Sequence, residues 1–167
     1  MTQSEPKHLN FDPSQEVISD IMSLYNQGKM KAVIIQARAI TDNYPNSFII
    51  WNLLGAASTS LGHLQDAALA FKKVTKLNAN YPDGFNNLGV ILQKQGKLVE
   101  ANKAFRKAIK LKPEYKEPYV NLGNSLREQG QFEKALVTYR DVLALDPKYI
   151  HALTNLGILL KKTGKIL

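Results

Sequence analysis

Apolar residues recur along the chain at the three- and four-residue spacing of an α-helix. Between residues 82 and 95, apolar and small side chains recur at positions that share one face of an α-helix, namely Phe85, Leu88, Gly89 and Leu92. The stretch from 98 to 111 repeats the pattern with Leu98, Ala101, Phe105, Ala108 and Ile109. Gly96 lies between the two stretches, where a helix end favours the left-handed backbone that glycine adopts at low cost. The pattern predicts a hairpin of two α-helices.

The hairpin pattern recurs with a period of 34 residues. One glycine column, which falls in the predicted turns, consists of Gly28, Gly62, Gly96, Gly130 and Gly164. A second column, which falls inside the first helices, consists of Gly55, Gly89, Gly123 and Gly157. Small residues such as Gly89 and Ala101 predict a close approach of the two helices, with Phe105 beside them. Self-similarity at this period is typical of stacked helical repeats.

These columns resemble the tetratricopeptide repeat family, whose motif runs from an aromatic residue through Leu-Gly, Ala and a second aromatic residue to Pro. The fullest copies in the chain are Phe85…Leu88-Gly89…Ala101…Phe105…Pro113 and Tyr119…Leu122-Gly123…Ala135…Tyr139…Pro147. The resemblance implies an all-α, right-handed α-solenoid of four full repeats and a lone C-terminal helix. The expected domain covers residues 13–167 behind a flexible tail at 1–12, with repeats near 14–47, 48–81, 82–115 and 116–149 and a partial repeat at 150–167.

The first repeat departs most from the pattern, because Asp20 and Ile21 occupy the places of Leu-Gly. Terminal repeats are expected to be atypical, since they cap the stack. Asp12 is the predicted N-cap of the first helix, with Pro13 in the first turn and Gln15 at the capping-box position.

Family resemblance also implies that the first helix of each hairpin lines a concave groove. There, Asn87, Asn121 and Asn155 keep the 34-residue step, and their amides can hydrogen-bond the backbone of an extended peptide of any sequence. A similar asparagine ladder is characteristic of the repeat region of O-linked N-acetylglucosamine transferases. In the second repeat Leu53 breaks the ladder and Asn52 lies one residue early. The alternative interpretation is that these asparagines only hydrogen-bond neighbouring helices or water.

The predicted groove has a basic C-terminal half, which suits an acidic peptide or a terminal carboxylate. Its predicted residues are Asn52, Asn86, Asn87, Lys94, Asn121, Asn124, Arg127, Asn155, Lys161 and Lys162. The family's chaperone-type carboxylate clamp is incomplete. Asn124 and Asn155 match two of its places, but Val120 stands where the clamp has lysine.

Other chemistry finds little support. The net charge is +8, and many of the lysines lie on the predicted second helices. Because no aromatic residues interleave with these lysines, a solvated convex face is favoured over nucleic-acid binding. The chain has no cysteine, its three histidines lack metal-ligand spacing, and no phosphate-loop motif occurs. We therefore expect no enzyme activity, cofactor or membrane insertion, and a cytoplasmic location.

The sequence ends as the second helix of a fifth repeat should begin. Leu153, Leu156 and Leu160 would then form an apolar edge, which predicts either an N-terminal fragment or a homodimer through this edge. The favoured function is a protein-interaction scaffold that holds an extended segment in its groove. One alternative is the N-terminal, substrate-presenting region of a larger glycosyltransferase or sulfotransferase, because similar repeats precede such domains in bacterial proteins. The other alternative is self-association through the apolar edge.

Overall fold

The computed structural model describes residues 12–164 and contains nine α-helices and no strand within them. The helices are α1 (Gln15–Asn26), α2 (Met30–Thr41), α3 (Phe48–Ser60), α4 (Leu64–Leu77), α5 (Pro82–Lys94), α6 (Leu98–Leu111), α7 (Lys116–Glu128), α8 (Phe132–Leu145) and α9 (Ile150–Thr163). Four helix hairpins follow one another along the chain, α1–α2 to α7–α8, and α9 comes after them. The predicted tail at 1–12 lies outside the described residues except for Asp12.

Each hairpin turn contains a glycine of the first column with a positive φ. Gly96, for example, has φ 75°, a backbone conformation that a side chain would strain. Its amide donates to the carbonyl of Gln93 over 2.8 Å, and the next amide, of Lys97, donates to Leu92 over 2.9 Å. These bonds satisfy carbonyls at the end of α5 and reverse the chain into α6.

The second glycine column lets the two helices touch in three of the four hairpins, α3–α4, α5–α6 and α7–α8. A Cβ atom built on Gly89 would lie 2.5 Å from Cε1 of Phe105, and one built on Gly55 would lie 2.9 Å from the ring of Phe71. Tyr139 covers Gly123 in the same way. The predicted close approach is therefore confirmed, and the aromatic ring occupies the space that the missing side chain leaves.

Two compact units are present, and each has its own core. The first ends at Leu77 and the second begins at Asn78. In the first unit the core comprises Ile18, Ile21, Val33, Ile34, Ala37, Ile50, Leu54, Ala57 and Ala70. In the second unit, Phe105 and Tyr139 are the largest fully buried side chains, and a further cluster joins Val120, Val142 and Ala152.

The start of α1 differs from the prediction. Ser14 is the N-cap, with its hydroxyl 3.4 Å from the amide of Val17, so the assignment of Asp12 as N-cap was wrong. An N-cap side chain must reach the amides of the first turn, and Asp12 stands too far before Gln15 to do so. Asp12 instead accepts a 2.5 Å hydrogen bond from Ser47, which is the N-cap of α3.

Candidate functional site

The asparagine face, as we name it, is the side of α5, α7 and α9 that carries Asn87, Asn121 and Asn155. These three helices belong to the second unit, where α5 packs against α7 and α7 against α9. The three asparagines occupy equivalent places in their helices and are all half-buried. A half-buried amide keeps part of its hydrogen-bonding capacity open to a ligand or to water.

A hydrogen-bonded chain joins α7 to α5 across this face. Nδ2 of Asn121 donates to Oδ1 of Asn86 over 2.9 Å, and Nδ2 of Asn86 is 3.4 Å from the hydroxyl of Tyr115. That hydroxyl also bonds to Asp83, and burial together with this bond raises the pKa of Tyr115 well above its ordinary value. Asn86 is only 7% exposed, so its role here is to connect helices.

The three rungs of the ladder are not equivalent. Asn121 already uses one amide hydrogen on Asn86, and Asn155 uses one on the carbonyl of His151 in its own helix, over 2.8 Å. The side chain of Asn87 makes no hydrogen bond to any described residue. The structure thus gives Asn121 a partner on a neighbouring helix, as the alternative interpretation expected, gives Asn155 a partner within its own helix, and leaves the amide of Asn87 open.

Two further predicted groove asparagines lie in different surroundings. Oδ1 of Asn124 accepts a 2.7 Å hydrogen bond from the hydroxyl of Tyr139, which joins α7 to α8. Burial raises the pKa of Tyr139 to about 12. Asn52 belongs to the first unit, where its amide oxygen is buried and has no partner among the described residues. Asn124 is therefore engaged inside a hairpin, and Asn52 belongs to the other unit than the one that carries the asparagine face.

Positive charge collects in the last turns of the three helices. Lys94 ends α5, Arg127 lies in the last turn of α7, and Lys161 and Lys162 lie in that of α9. Nζ of Lys162 lies 5.1 Å from the ring centroid of Phe132, which places this ammonium at the start of α8. Glu128 adds a carboxylate at this end of the helices. It accepts a 2.7 Å hydrogen bond from Gln93, and this bond joins α5 to α7.

At the other end of α7, an ion pair connects α7 to the residues before α9. Lys116 donates to Asp146 over 2.7 Å, and its ammonium lies 5.0 Å from the ring centroid of Tyr149. The hydrogen bond from Lys116 lowers the pKa of Asp146, and the same bond raises the pKa of Lys116. Sequence reasoning missed this pair, because the two residues are 30 positions apart and lie in no repeated column.

The predicted apolar edge is smaller than expected. Leu153 is 46% exposed and Leu156 is half-buried, but Leu160 is only 8% exposed. Leu160 lines a narrow cleft with Phe132 and Leu136 of α8. Its inclusion in an open edge was therefore wrong, because α8 already covers it.

Within residues 12–164, no group of three or more histidine, aspartate or glutamate side chains is arranged to hold a metal ion. Over the same residues, every helix is too short or too polar to cross a membrane.

Four successive helix hairpins, three of which have a glycine beneath an aromatic ring, define a helical-repeat protein of the α-solenoid class. A family model described as TPR repeat matches residues 55–96 and 123–164, and two models described as tetratricopeptide repeat match 82–115 and 104–137. The chain belongs to the tetratricopeptide repeat family.

Solved structures support the fold. MamA from Desulfovibrio magneticus is 20% identical with a TM-score of 0.83, over 90% of this chain and 85% of that one. YrrB, described as a TPR protein with an unusual peptide-binding site, is 18% identical with a TM-score of 0.79, over 93% and 80%. The first TPR of Spaghetti, bound to an HSP90 peptide, is 19% identical with a TM-score of 0.66, over 70% and 93%. The predicted all-α solenoid class is thereby confirmed. No curated protein matches the sequence significantly.

Proposed function

We propose that this protein is an interaction scaffold whose asparagine face binds an extended segment of a partner protein. The observation that supports the proposal most is the set of three half-buried asparagines in register on α5, α7 and α9. Each keeps at least its amide oxygen free of hydrogen bonds to described residues. Backbone-directed amides hold a peptide irrespective of its sequence, and the residues around them set the preference.

The unequal rungs suggest how the peptide is held. At Asn121 and Asn155 the amide nitrogen already has a partner, so the remaining oxygens accept hydrogen bonds from peptide N–H groups. Asn87 offers both its oxygen and its nitrogen, so it can receive a peptide N–H and donate to a peptide carbonyl. An extended strand presents both groups, and the free amide of Asn87 therefore fixes the register of the segment.

Charge supports an acidic partner segment. Lys94, Arg127 and Lys161 lie at the same ends of the three helices, and carboxylates next to them form charge-assisted bonds. The Spaghetti domain is bound to an HSP90 peptide, but Val120 is buried in this chain where the clamp resemblance requires lysine. We therefore propose an acidic segment other than a chaperone tail.

The test starts from random peptides displayed on phage and selected on the wild-type protein. The best peptide is labelled, and its binding is measured by fluorescence anisotropy on wild type and on a triple variant, Asn87→Ala, Asn121→Ala and Asn155→Ala. We expect the triple variant to bind at least about tenfold more weakly, since it loses several peptide hydrogen bonds. A matched control replaces three exposed asparagines of the first unit by alanine: Asn26, Asn43 and Asn46.

Equal binding by the wild type and the triple variant would remove the asparagine face as the binding element. Circular dichroism of each variant checks that the helices are retained. The alternative role, a substrate-presenting region of a larger glycosyltransferase or sulfotransferase, stays a prediction, as does the cytoplasmic location.

A further inference from the structure

A cleft opens in the second unit between two second helices, α6 and α8, with α7 beneath them. Its volume is about 620 Å³. Leu122 and Leu126 of α7 lie at its floor, and both are buried. Ile109 of α6 lines one wall, and Val137 of α8, which is 57% exposed although it is a large hydrophobic residue, lines the other. The cleft therefore presents apolar surface that no described helix covers.

The equivalent place in the first unit shows how two second helices are joined there. Arg38 of α2 and Asp66 of α4 form an ion pair over 2.6 Å. Two repeats of 34 residues later, the same two places hold Arg106 of α6 and Lys134 of α8. The arginine is retained, but a lysine replaces its carboxylate partner. Because two cations repel each other, this ion pair cannot form across the cleft.

Positive charge on both walls is thus left without a carboxylate between them. Arg106 and Lys110 of α6 form no hydrogen bond or ion pair with any described residue, and Lys134 donates to Gln131, just before its own helix, over 2.9 Å. These three cations have one carboxylate of the cleft beside them, that of Glu133. A ligand carboxylate between Arg106 and Lys134 would occupy the place that the aspartate has in the first unit.

The other end of the cleft is acidic. Asp141 lies two helical turns after Lys134, about 10 Å along α8. Burial and, next, the charge of Asp141 raise the pKa of Tyr119, which lines the cleft from α7. The hydroxyl of Tyr119 donates to the carbonyl of Pro113 over 2.9 Å, so its ring is held in place. Charge therefore changes sign along the cleft, with apolar surface between the two ends.

We propose that this cleft docks an amphipathic helix of a partner protein. In that helix an acidic residue is followed by two large apolar residues, three and four positions later, and by a basic residue at the seventh position. These four residues share one face of a helix. The acidic side chain lies between Arg106 and Lys134, the apolar pair packs on Leu122 and Leu126, and the basic side chain reaches Asp141.

The openness of the cleft favours a helix over a small molecule. A small-molecule site encloses most of the surface of its ligand. Here Arg106 on one wall and Lys134 and Val137 on the other are all exposed. The site is also separate from the asparagine face, because Leu122 lies on another side of α7 from Asn121.

The probe is a library of helical peptides displayed on phage. It is selected on the triple variant Asn87→Ala, Asn121→Ala and Asn155→Ala, which lacks the amides of the asparagine face but keeps the cleft. We expect the enriched peptides to share the acidic, apolar and basic spacing given above. The best peptide is labelled, and fluorescence anisotropy should show equal binding to wild type and to the triple variant. Since this selection does not use the asparagine face, either proposal can fail without the other.

The decisive variant is Lys134→Asp, which restores the pairing of the first unit. Its carboxylate should pair with Arg106, so the variant should fold as well as wild type, as checked by circular dichroism and thermal unfolding. We expect peptide binding to weaken at least about tenfold, since the acidic side chain of the peptide is then repelled. Val137→Ser removes exposed apolar surface and should weaken binding about fivefold.

The matched control is Arg140→Asp, which makes the same change of charge on α8. Arg140 is exposed and does not line the cleft, so this variant should bind the peptide like wild type.

Three results would overturn the proposal: no peptide enriched on the triple variant, equal binding by Lys134→Asp and wild type, or a loss in Arg140→Asp as large as in Lys134→Asp. Two further results would assign the cleft to another occupant. Displacement of the peptide by decanoate at an equal or lower concentration would indicate a small amphipathic anion. A concentration-dependent dimer in sedimentation that Lys134→Asp abolishes would indicate a second copy of this chain.

Discussion

Gly123 and Gly157 occupy the same place in consecutive repeats, yet their surroundings are opposite. Gly123 lies beneath the ring of Tyr139, whereas Gly157 has open space above its Cα. The sequence column alone does not distinguish them. The comparison shows that the glycine of this column is needed in α7, where the ring of Tyr139 lies on it, and that Gly157 has no such contact among the described residues.

A similar contrast separates the contact of α7 with α5 from its contact with α9. Towards α5, Asn121 reaches the buried Asn86 and through it Tyr115 and Asp83. Towards α9, the place equivalent to Asn86 holds the apolar Val120, and the ion pair of Lys116 with Asp146 joins the elements at the helix start. Neighbouring first helices are thus joined by buried polar groups on one side and by apolar packing with a half-buried ion pair on the other.

The largest expected effect comes from alanine at the two glycines. Gly123→Ala should lower the free energy of unfolding by about 3 kcal/mol, because the methyl group collides with a ring that has no room to move in a packed core. Gly157→Ala should leave it unchanged or raise it by up to about 1 kcal/mol, since alanine is the better helix former. Urea unfolding followed by circular dichroism measures both, and equal losses in the two variants would contradict the comparison.

The next largest effect is a loss of stability at alkaline pH that comes from the titration of Tyr139. Burial raises the pKa of Tyr139 to about 12, above its value of about 10 in the unfolded chain. The resulting stability is fully present below pH 10 and is lost as the pH rises through 12, by roughly 2–3 kcal/mol. Tyr139→Phe should be less stable near neutral pH, since Asn124 loses its hydrogen bond, but should lose less stability above pH 10.

This prediction is checked by urea unfolding of both proteins across the alkaline range. A wild type and a Tyr139→Phe variant that lose stability in parallel would show that the phenol titrates as freely in the folded state as in the unfolded chain.

A smaller effect is expected at the polar contact between α5 and α7. Asn86→Val imitates the next repeat and should cost about 1 kcal/mol, because Asn121 loses its partner but is only half-buried and can turn to water. Val120→Ala is the control for apolar packing at the equivalent place. A variant as stable as wild type would mean that the hydrogen-bonded chain adds nothing to the contact.

The smallest effect is expected at the half-buried ion pair of Lys116 with Asp146. The pKa of Asp146 is lowered mainly by the hydrogen bond from Lys116, so its contribution to stability is present at neutral pH and is lost as the pH falls through the lowered pKa. In Lys116→Ala the pKa of Asp146 should return towards its ordinary value, as followed by NMR titration of the carboxyl carbon. Lys148→Ala is a control that should change this pKa less, because Lys148 bonds to Asp146 through its backbone amide, which alanine keeps, and its side-chain charge has a smaller effect.

Repeat columns allowed much of the fold to be predicted. The turn position of Gly96 and the packing of Phe105 on Gly89 follow from residue size and backbone freedom, which act locally and recur with the same step. The position of Leu160 could not be predicted in this way, because its burial depends on how Phe132 and Leu136 fold over the end of α9. A column shows which residues share a place, but not what a neighbouring helix does there.

The ladder was predictable as a set of positions but not as a set of hydrogen bonds. Whether an asparagine binds its own helix, as Asn155 does, or a neighbouring one, as Asn121 does, depends on which partner is within reach, because either hydrogen bond is worth only about 1 kcal/mol. The neighbour also matters, since Asn121 has a partner only because Asn86 stands where the next repeat has Val120. The resemblance to an asparagine ladder therefore indicated the face, and the structure alone distinguished the free amide of Asn87.

The most direct test of the account is an NMR titration of the side-chain amides with the phage-selected peptide. We expect the amide resonances of Asn87, Asn121 and Asn155 to shift, with Asn87 shifting most because both of its groups are free, while those of Asn26 and Asn43 stay in place. Shifts confined to the second helices, with all three asparagines unmoved, would contradict the proposal that the asparagine face is the peptide-binding site.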